Sequence, residues 1–280
     1  MKISGILSIT LFGASVFAAP HPNSGLAQRL ERRQAARATR TTNPPKLIGS
    51  KAYAADKHNG TNITHVQYSS NWAGAVLTAP PAGETFNSVS AQFVVPSPSV
   101  PSGGGDGDYS AAAWVGIDGD TYGNAIWQSG VDFTVSGGEV SFDAWYEWFP
   151  GPSVDISDFS FSAGDTISIT VSSSDDSDGS VILENVSTGQ SITEYASAPS
   201  PDAVLGGQNA EWIVEDFDVG GSQVPFADFG TVLFTNAVAS TSSQSVGTDG
   251  ASIIDIKASN GKILTDVTLP SSSQVRVVYK

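Results

Sequence analysis

From Tyr68 to the C-terminus the chain is a succession of short runs rich in Val, Ile, Thr and aromatic residues: "NWAGAVLT", "SVSAQFVVP", "SAAAWVGID", "AIWQSGVDFTV", "VSFDAWYEWF", "TISITVSSS", "GSVILENVS", "AEWIVEDFDV", "TVLFTNAVAS", "SIIDIKAS" and "SQVRVVYK". Gly, Pro, Ser or Asp turns separate most of them, and no stretch sustains a helical period with caps. Eleven or more strands at this spacing predict an all-β body, a large antiparallel β-sandwich or barrel. The chain contains no cysteine, so the hydrophobic core must hold this body together without a disulfide framework.

The N-terminal part has a different texture. "MKISGILSITLFGASVFA" (1–18) has a lone Lys2, an apolar stretch and small residues Val16 and Ala18 at its end, which is the pattern of a secretory signal peptide. Its apolar run is too short to span a bilayer. Residues 19–66, with "QRLERRQAARATRTTNPPK" at their centre, read as a basic propeptide, with cleavage expected at Arg32-Arg33, nearer Gln67, or at both. Of 13 basic and 28 acidic side chains, nine basic and two acidic ones lie in residues 1–66. That leaves 4 against 26 in residues 67–280, a formal charge of −22. Such a body repels nucleic acid and anionic membranes but attracts its own basic leader. The attraction is expected to hold the propeptide on the body as an inhibitor at neutral pH and to loosen as carboxylates protonate. A secreted monomer of three parts is expected: 1–18, 19–66, and a single β domain over 67–280.

The body also lacks histidine, because His21, His58 and His65 all precede residue 67. Without imidazole or thiol there is no Ser-His-Asp triad, no Cys-His pair and no zinc site of the usual ligands. The Asp-Thr/Ser-Gly signature of aspartic peptidases is missing, with "GDTYG" (119–123) the nearest approach. Proton transfer in this domain therefore falls to carboxylates, and no cofactor is called for.

Three segments concentrate polar groups among aromatics. Gln128 lies inside an apolar strand, which taken singly reads as an edge-strand amide bonded to backbone. In "DAWYEWFPGP" (143–152), Trp145, Tyr146, Trp148 and Phe149 surround Glu147, as core or as the wall of a polymer-binding cleft. In "EWIVEDF" (211–217), alternation puts Glu211, Ile213, Glu215 and Phe217 on one face. A carboxylate there is costly unless it is partnered or faces water.

"YSSNWAGAVL" (68–77), "AAAWVGIDGD" (111–120), "AIWQSGVDF" (125–133), "WYEWFP" (145–150) and "NAEWIVEDF" (209–217) together resemble the fungal glutamic peptidases, also called eqolisins. The resemblance runs from about Tyr68 to the C-terminus. It implies a sandwich of two large antiparallel sheets, similar to lectin and glucanase jelly rolls, that hydrolyses polypeptides in acid. It also implies a catalytic pair, Gln128 and Glu211. Asn71, Trp72, Trp114, Asp118, Trp145, Tyr146, Glu147 and Trp148 resemble positions that bind the peptide or support the pair. Nearby carboxylates and apolar neighbours are expected to raise the Glu211 pKa. Two other readings compete: a glycoside hydrolase on a similar jelly roll, using Glu147 and Glu211, and a carbohydrate-binding module. "NGT" (59–61), "NIT" (62–64) and "NVS" (185–187) are candidate N-glycan acceptors.

Overall fold

Alternating apolar residues become two large sheets in the computed structural model, which describes residues 35, 37–49, 54–55 and 65–280. The expected signal peptide, Arg32-Arg33 and the Asn59 and Asn62 triplets lie outside the described residues. Apart from the helical residues 35 and 37, every regular element among the described residues is a strand. The first sheet has nine strands in the order β2 (Ala54–Ala55), β3 (His65–Ser69), β18 (Ser252–Ile256), β4 (Trp72–Leu77), β13 (Ala210–Glu215), β6 (Asp108–Ile117), β7 (Ile126–Ser136), β8 (Glu139–Phe149) and β9 (Val154–Asp155). The second runs β12 (Gln190–Ser197), β11 (Asp178–Asn185), β10 (Thr166–Ser173), β5 (Ser88–Val94), β16 (Thr231–Ser240), β20 (Gln274–Tyr279) and β19 (Thr265–Ser271), with β17 (Ser245–Val246) against β16. A small third sheet joins β1 (Arg40–Thr41) to β14 (Asp218–Val219) and β15 (Ser222–Gln223). Pairing is antiparallel except between β18 and β3. The sandwich reading is therefore correct.

The two faces of the nine-stranded sheet carry different cores, and the period of two decides which residue goes where. On the back, Trp127, Val131, Trp212 and Val214 join Ile169, Val171 and Phe234 of the second sheet in one apolar cluster. On the front, Trp72, Val76, Trp114, Ile126, Trp145, Ile213 and Phe217 form a second cluster. The six tryptophans divide three to each face. Those at the back donate Nε1–H to backbone carbonyls of the opposing layer: Trp127 to Ser172 at 3.0 Å, Trp148 to Ala203 at 2.8 Å and Trp212 to Ser90 at 3.0 Å. Two at the front donate to carboxylates: Trp114 to Glu215 at 3.0 Å and Trp145 to Asp132 at 2.7 Å. The rings at the front need room, and Gly130 supplies it. A Cβ there would stand 2.5 Å from the Trp114 Cβ and 2.9 Å from the Trp145 ring.

Asn185 closes one question left by the sequence. Its side chain is fully buried, and its Nδ2 donates to the Ser160 carbonyl at 3.2 Å and to Asp165 at 3.0 Å. A glycan on this nitrogen is incompatible with the folded body.

Candidate active site

Register lines up the two residues of the expected pair. Glu211 on β13 stands opposite Gly116 on β6, and Gly116 stands opposite Gln128 on β7. One cross-strand row on the front face thus reads Val76, Glu211, Gly116, Gln128, Glu147. Two strand spacings put the Glu211 and Gln128 Cα atoms about 10 Å apart, with glycine between them. A Cβ on Gly116 would lie 3.1 Å from the Gln128 Cβ and 3.2 Å from Glu211 Oε1. The space over Gly116 is therefore bounded by the Glu211 carboxyl on one side and the Gln128 Cβ on the other. Both residues are fully buried, yet none of their four polar atoms has a hydrogen-bond partner among the described residues. Only eight buried side-chain atoms are in that state, and these two residues hold half of them. Such groups are costly in a structural role, so their presence marks chemistry.

Glu211 is positioned by a reciprocal clamp just before its strand. Asp118, at the end of β6 with φ of 68°, accepts four backbone N–H bonds at 2.7 to 3.1 Å from Gly206, Gly207, Gln208 and Asn209. Asn209 answers from the other side. Its Oδ1 accepts the N–H groups of Asp120, Thr121 and Tyr122, and its Nδ2 donates to the Thr121 hydroxyl at 2.6 Å. The turn after β6 and the loop before β13 are thus tied together two residues from Glu211. Burial raises the Glu211 pKa well above the ordinary value, and repulsion from Asp118 and then Asp120 adds to it. The expected direction is therefore found, and it favours the protonated carboxyl. A base working in acid needs water readmitted to this carboxyl.

Further along the same face, residues of the basic segment lie across the sheet. Arg40 is 3 % exposed, and its guanidinium forms a fork onto Asp132 at 2.7 and 3.0 Å. It reaches Glu147 at 3.3 Å and stacks 3.7 Å from the Trp145 ring centre and 4.6 Å from that of Phe217. The Thr42 N–H donates to both Glu147 oxygens at 3.1 and 3.2 Å, and the Asn43 N–H to Glu215 at 3.4 Å. Asn71 Oδ1 takes the Lys46 N–H at 2.7 Å, while its Nδ2 donates to the carbonyls of Asn43 and Pro44. At the rim, Lys46 meets Asp218 at 2.9 Å, and Arg37 pairs with Asp143. One guanidinium thus faces three carboxyls in a dry pocket. Burial pushes Glu147 and Glu215 up to about 8, although Arg40 pulls both down. These shifts oppose the expected loosening in acid, because protons favour the covered arrangement at both groups.

The other residues singled out by sequence separate by face. Trp72, Trp114, Trp145 and Glu147 point to the front with the pair, where Trp72 and Trp114 meet edge to face at 4.9 Å. Tyr146 and Trp148 belong to the core between the sheets, as strand alternation requires once Trp145 faces forward. Asn71 and Asp118 are buried and spend their side chains on backbone groups. Sequence reasoning passed over Asp132, Asn209, Gly116 and Arg40 as site residues. Counting by twos from Gln128 would have found Asp132, and the front-face list from Glu211 already contained Glu215. Nothing local marks Asn209 or Arg40. Glu147 and Glu211 stand three strand spacings apart, about 14 Å at Cα, with Gln128 between them. That is a wide arrangement for a glycosidase pair.

Comparison with known proteins identifies close relatives. The sequence profile of the Peptidase A4 family matches residues 70–279. Aspergillopepsin-2 of Aspergillus niger is 44 % identical over the whole of both chains. Scytalidopepsin B of Scytalidium lignicola is 35 % identical over 96 % of each. Among solved structures, scytalido-glutamic peptidase with a peptide-based transition-state analogue is 38 % identical. It superposes with a TM-score of 0.65, covering 75 % of this chain and 98 % of its own. Aspergilloglutamic peptidase from Aspergillus niger gives 48 % identity and a TM-score of 0.58 over 61 % of this chain and 99 % of its own.

Proposed function

The chain belongs to the Peptidase A4 family and is a glutamic-type peptidase, and we propose that it is a secreted acid endopeptidase in which Glu211 and Gln128 act on one water. Glu211, ionised, takes a proton from that water while its oxygen attacks the scissile carbonyl carbon. The Gln128 amide N–H donates to the oxyanion of the tetrahedral intermediate, a contact whose loss costs about 100- to 1,000-fold in kcat elsewhere. Glu211 then passes its proton to the departing amine as the C–N bond breaks, which leaves acid and amine products and restores the carboxylate. Trp72, Trp114 and Trp145 line the face on which the polypeptide lies. The observation that supports this reading is the row Glu211–Gly116–Gln128, whose two end residues are buried with four polar atoms that have no hydrogen-bond partner among the described residues.

The same reading makes residues 37–49 an inhibitory part of the propeptide over 19–66. Arg40 and Thr42 occupy Asp132 and Glu147, the latter next to Gln128 in the row, so a substrate chain cannot lie there at the same time. Removal of the segment readmits water and lowers the Glu211 pKa toward the range in which it can serve as base.

The decisive measurement is Glu211→Gln in the processed protein. Digestion of a defined peptide mixture at acid pH with pepstatin present, with cuts mapped by mass spectrometry, should show cleavage by the parent. The variant should show none, with an unchanged circular dichroism spectrum. Appreciable turnover by the variant would assign the base to another group.

A further inference from the structure

The geometry points to Gly116 as a positioning residue of the reaction: the lack of a side chain on the central strand creates the seat in which Glu211 and Gln128 grip the reacting water and carbonyl. The inference rests on the reading of that pair given above. Gly116 lies between them in register, and a Cβ there would meet atoms of both, 3.2 Å from Glu211 Oε1 and 3.1 Å from the Gln128 Cβ. It would also meet the Trp114 ring at 2.9 Å. A single methyl group would therefore fill the space bounded by a Glu211 carboxyl oxygen, the Gln128 Cβ and the Trp114 ring.

Backbone need does not explain this glycine. Its φ is not in the left-handed region, and a mid-strand glycine otherwise weakens a sheet by conformational entropy and lost packing. No backbone atom stands among the three nearest to its added Cβ, whereas at Gly130 a backbone oxygen would be 2.5 Å away. At Gly130 the fold excludes a side chain. At Gly116 the neighbours that exclude it are the side chains of the site. The added methyl would take the space of the reacting water and carbonyl, and moving reacting groups by about 1 Å costs on the order of 100-fold in rate, while binding along the rest of the cleft does not depend on this point.

The test is Gly116→Ala in the processed protein, with kcat and KM measured separately on one defined peptide. A fall in kcat of about 100-fold with KM within about threefold, and a melting temperature close to that of the parent, is expected. An unchanged kcat, or a KM that rises while kcat holds, would overturn the inference. Should the variant misfold against Trp114, the pair Trp114→Phe and Trp114→Phe/Gly116→Ala replaces it, since the smaller ring relieves the 2.9 Å contact. The double variant must then be about 100-fold slower in kcat than Trp114→Phe alone, and equal rates would sink the proposal. Glu211→Gln run beside them separates the two levels. If it stays active, the pair itself is wrong. If it is dead while Gly116→Ala is normal, only the role of Gly116 falls.

Discussion

Two groups of acidic and amide side chains share one sheet face, and they are treated in opposite ways. Asp132, Glu147 and Glu215 are buried and fully engaged, by the Arg40 fork, the Thr42 and Asn43 N–H groups and the tryptophan Nε1–H donors. Gln128 and Glu211, in the same layer, are as deeply buried and have no hydrogen-bond partner among the described residues. Burial raises the carboxyls in both groups. The lesson is that partnering, more than depth, separates groups that hold a state from groups kept ready to react. The first group needs its partners to tolerate burial, and most of these come from residues 40–43.

The sharpest way to break this contrast is to remove the cation. Arg40→Ala leaves three buried carboxyls without their shared partner, and uncompensated buried charge costs about 3–5 kcal/mol. The covered arrangement should open on the order of 100- to 1,000-fold more readily, read as earlier self-processing or as hydrogen exchange at the Thr42 amide. Arg40→Lys should rescue only part of this, because an ammonium cannot reproduce the fork or the stacking on Trp145 and Phe217. If Arg40→Ala behaves like the parent, the first group does not hold the segment.

From the other side, Gln128→Ala should lower kcat about 100- to 1,000-fold with little change in unfolding midpoint. A group that bonds nothing in the resting fold can be removed without breaking anything. A large loss of stability together with intact kcat would show that Gln128 is a structural amide after all.

The pH dependence comes next in size. Glu147 and Glu215 sit at about 8 in the covered arrangement and near the ordinary 4.5 in water. Each therefore binds its proton more tightly when covered. Their contribution is fully present below about 4.5 and is lost as pH rises through about 8. Segment opening, followed by limited proteolysis with an added protease, should be faster at pH 9 than at pH 6. Glu147→Gln, which cannot ionise, should flatten that difference. An opening rate that instead climbs steeply from pH 6 to pH 4 would place control in the rim carboxylates.

Much of this was legible in the sequence, and the limits have physical causes. All eleven Val/Ile/Thr-rich runs became strands, because turn residues and a period of two are local signals. "QSITEYAS" and "TDVTLPS" became β12 and β19 without being singled out, since these outer strands carry too little apolar content to stand out. Gln128 and Glu211 were found by resemblance, and their shared face is set by the register of β13, β6 and β7, which no local pattern carries. Tyr146 and Trp148 went to the other face by strand alternation, which the sequence already contained. Asp118 with Asn209, and Arg40 with Asp132, are pairs separated by 91 and 92 positions, and only the fold brings them together. No local pattern predicts a contact of that range.

The smallest effect marks where the first group ends. Lys46 meets Asp218 at 2.9 Å, but its side chain is 42 % exposed, so the pair lies at the wet rim of the same segment. Exposed pairs contribute about 0.2–1 kcal/mol and are screened by salt. Lys46→Ala should therefore speed opening no more than about fivefold, and moderate salt should erase even that. The backbone N–H of residue 46 keeps its bond to Asn71 in the variant, so only the charge is tested. The Arg40→Ala effect should survive the same salt, because ions do not enter a dry pocket. Equal salt sensitivity in the two variants would mean that the segment is held by diffuse attraction to an acidic body. The built pocket around Arg40 would then be incidental to holding it.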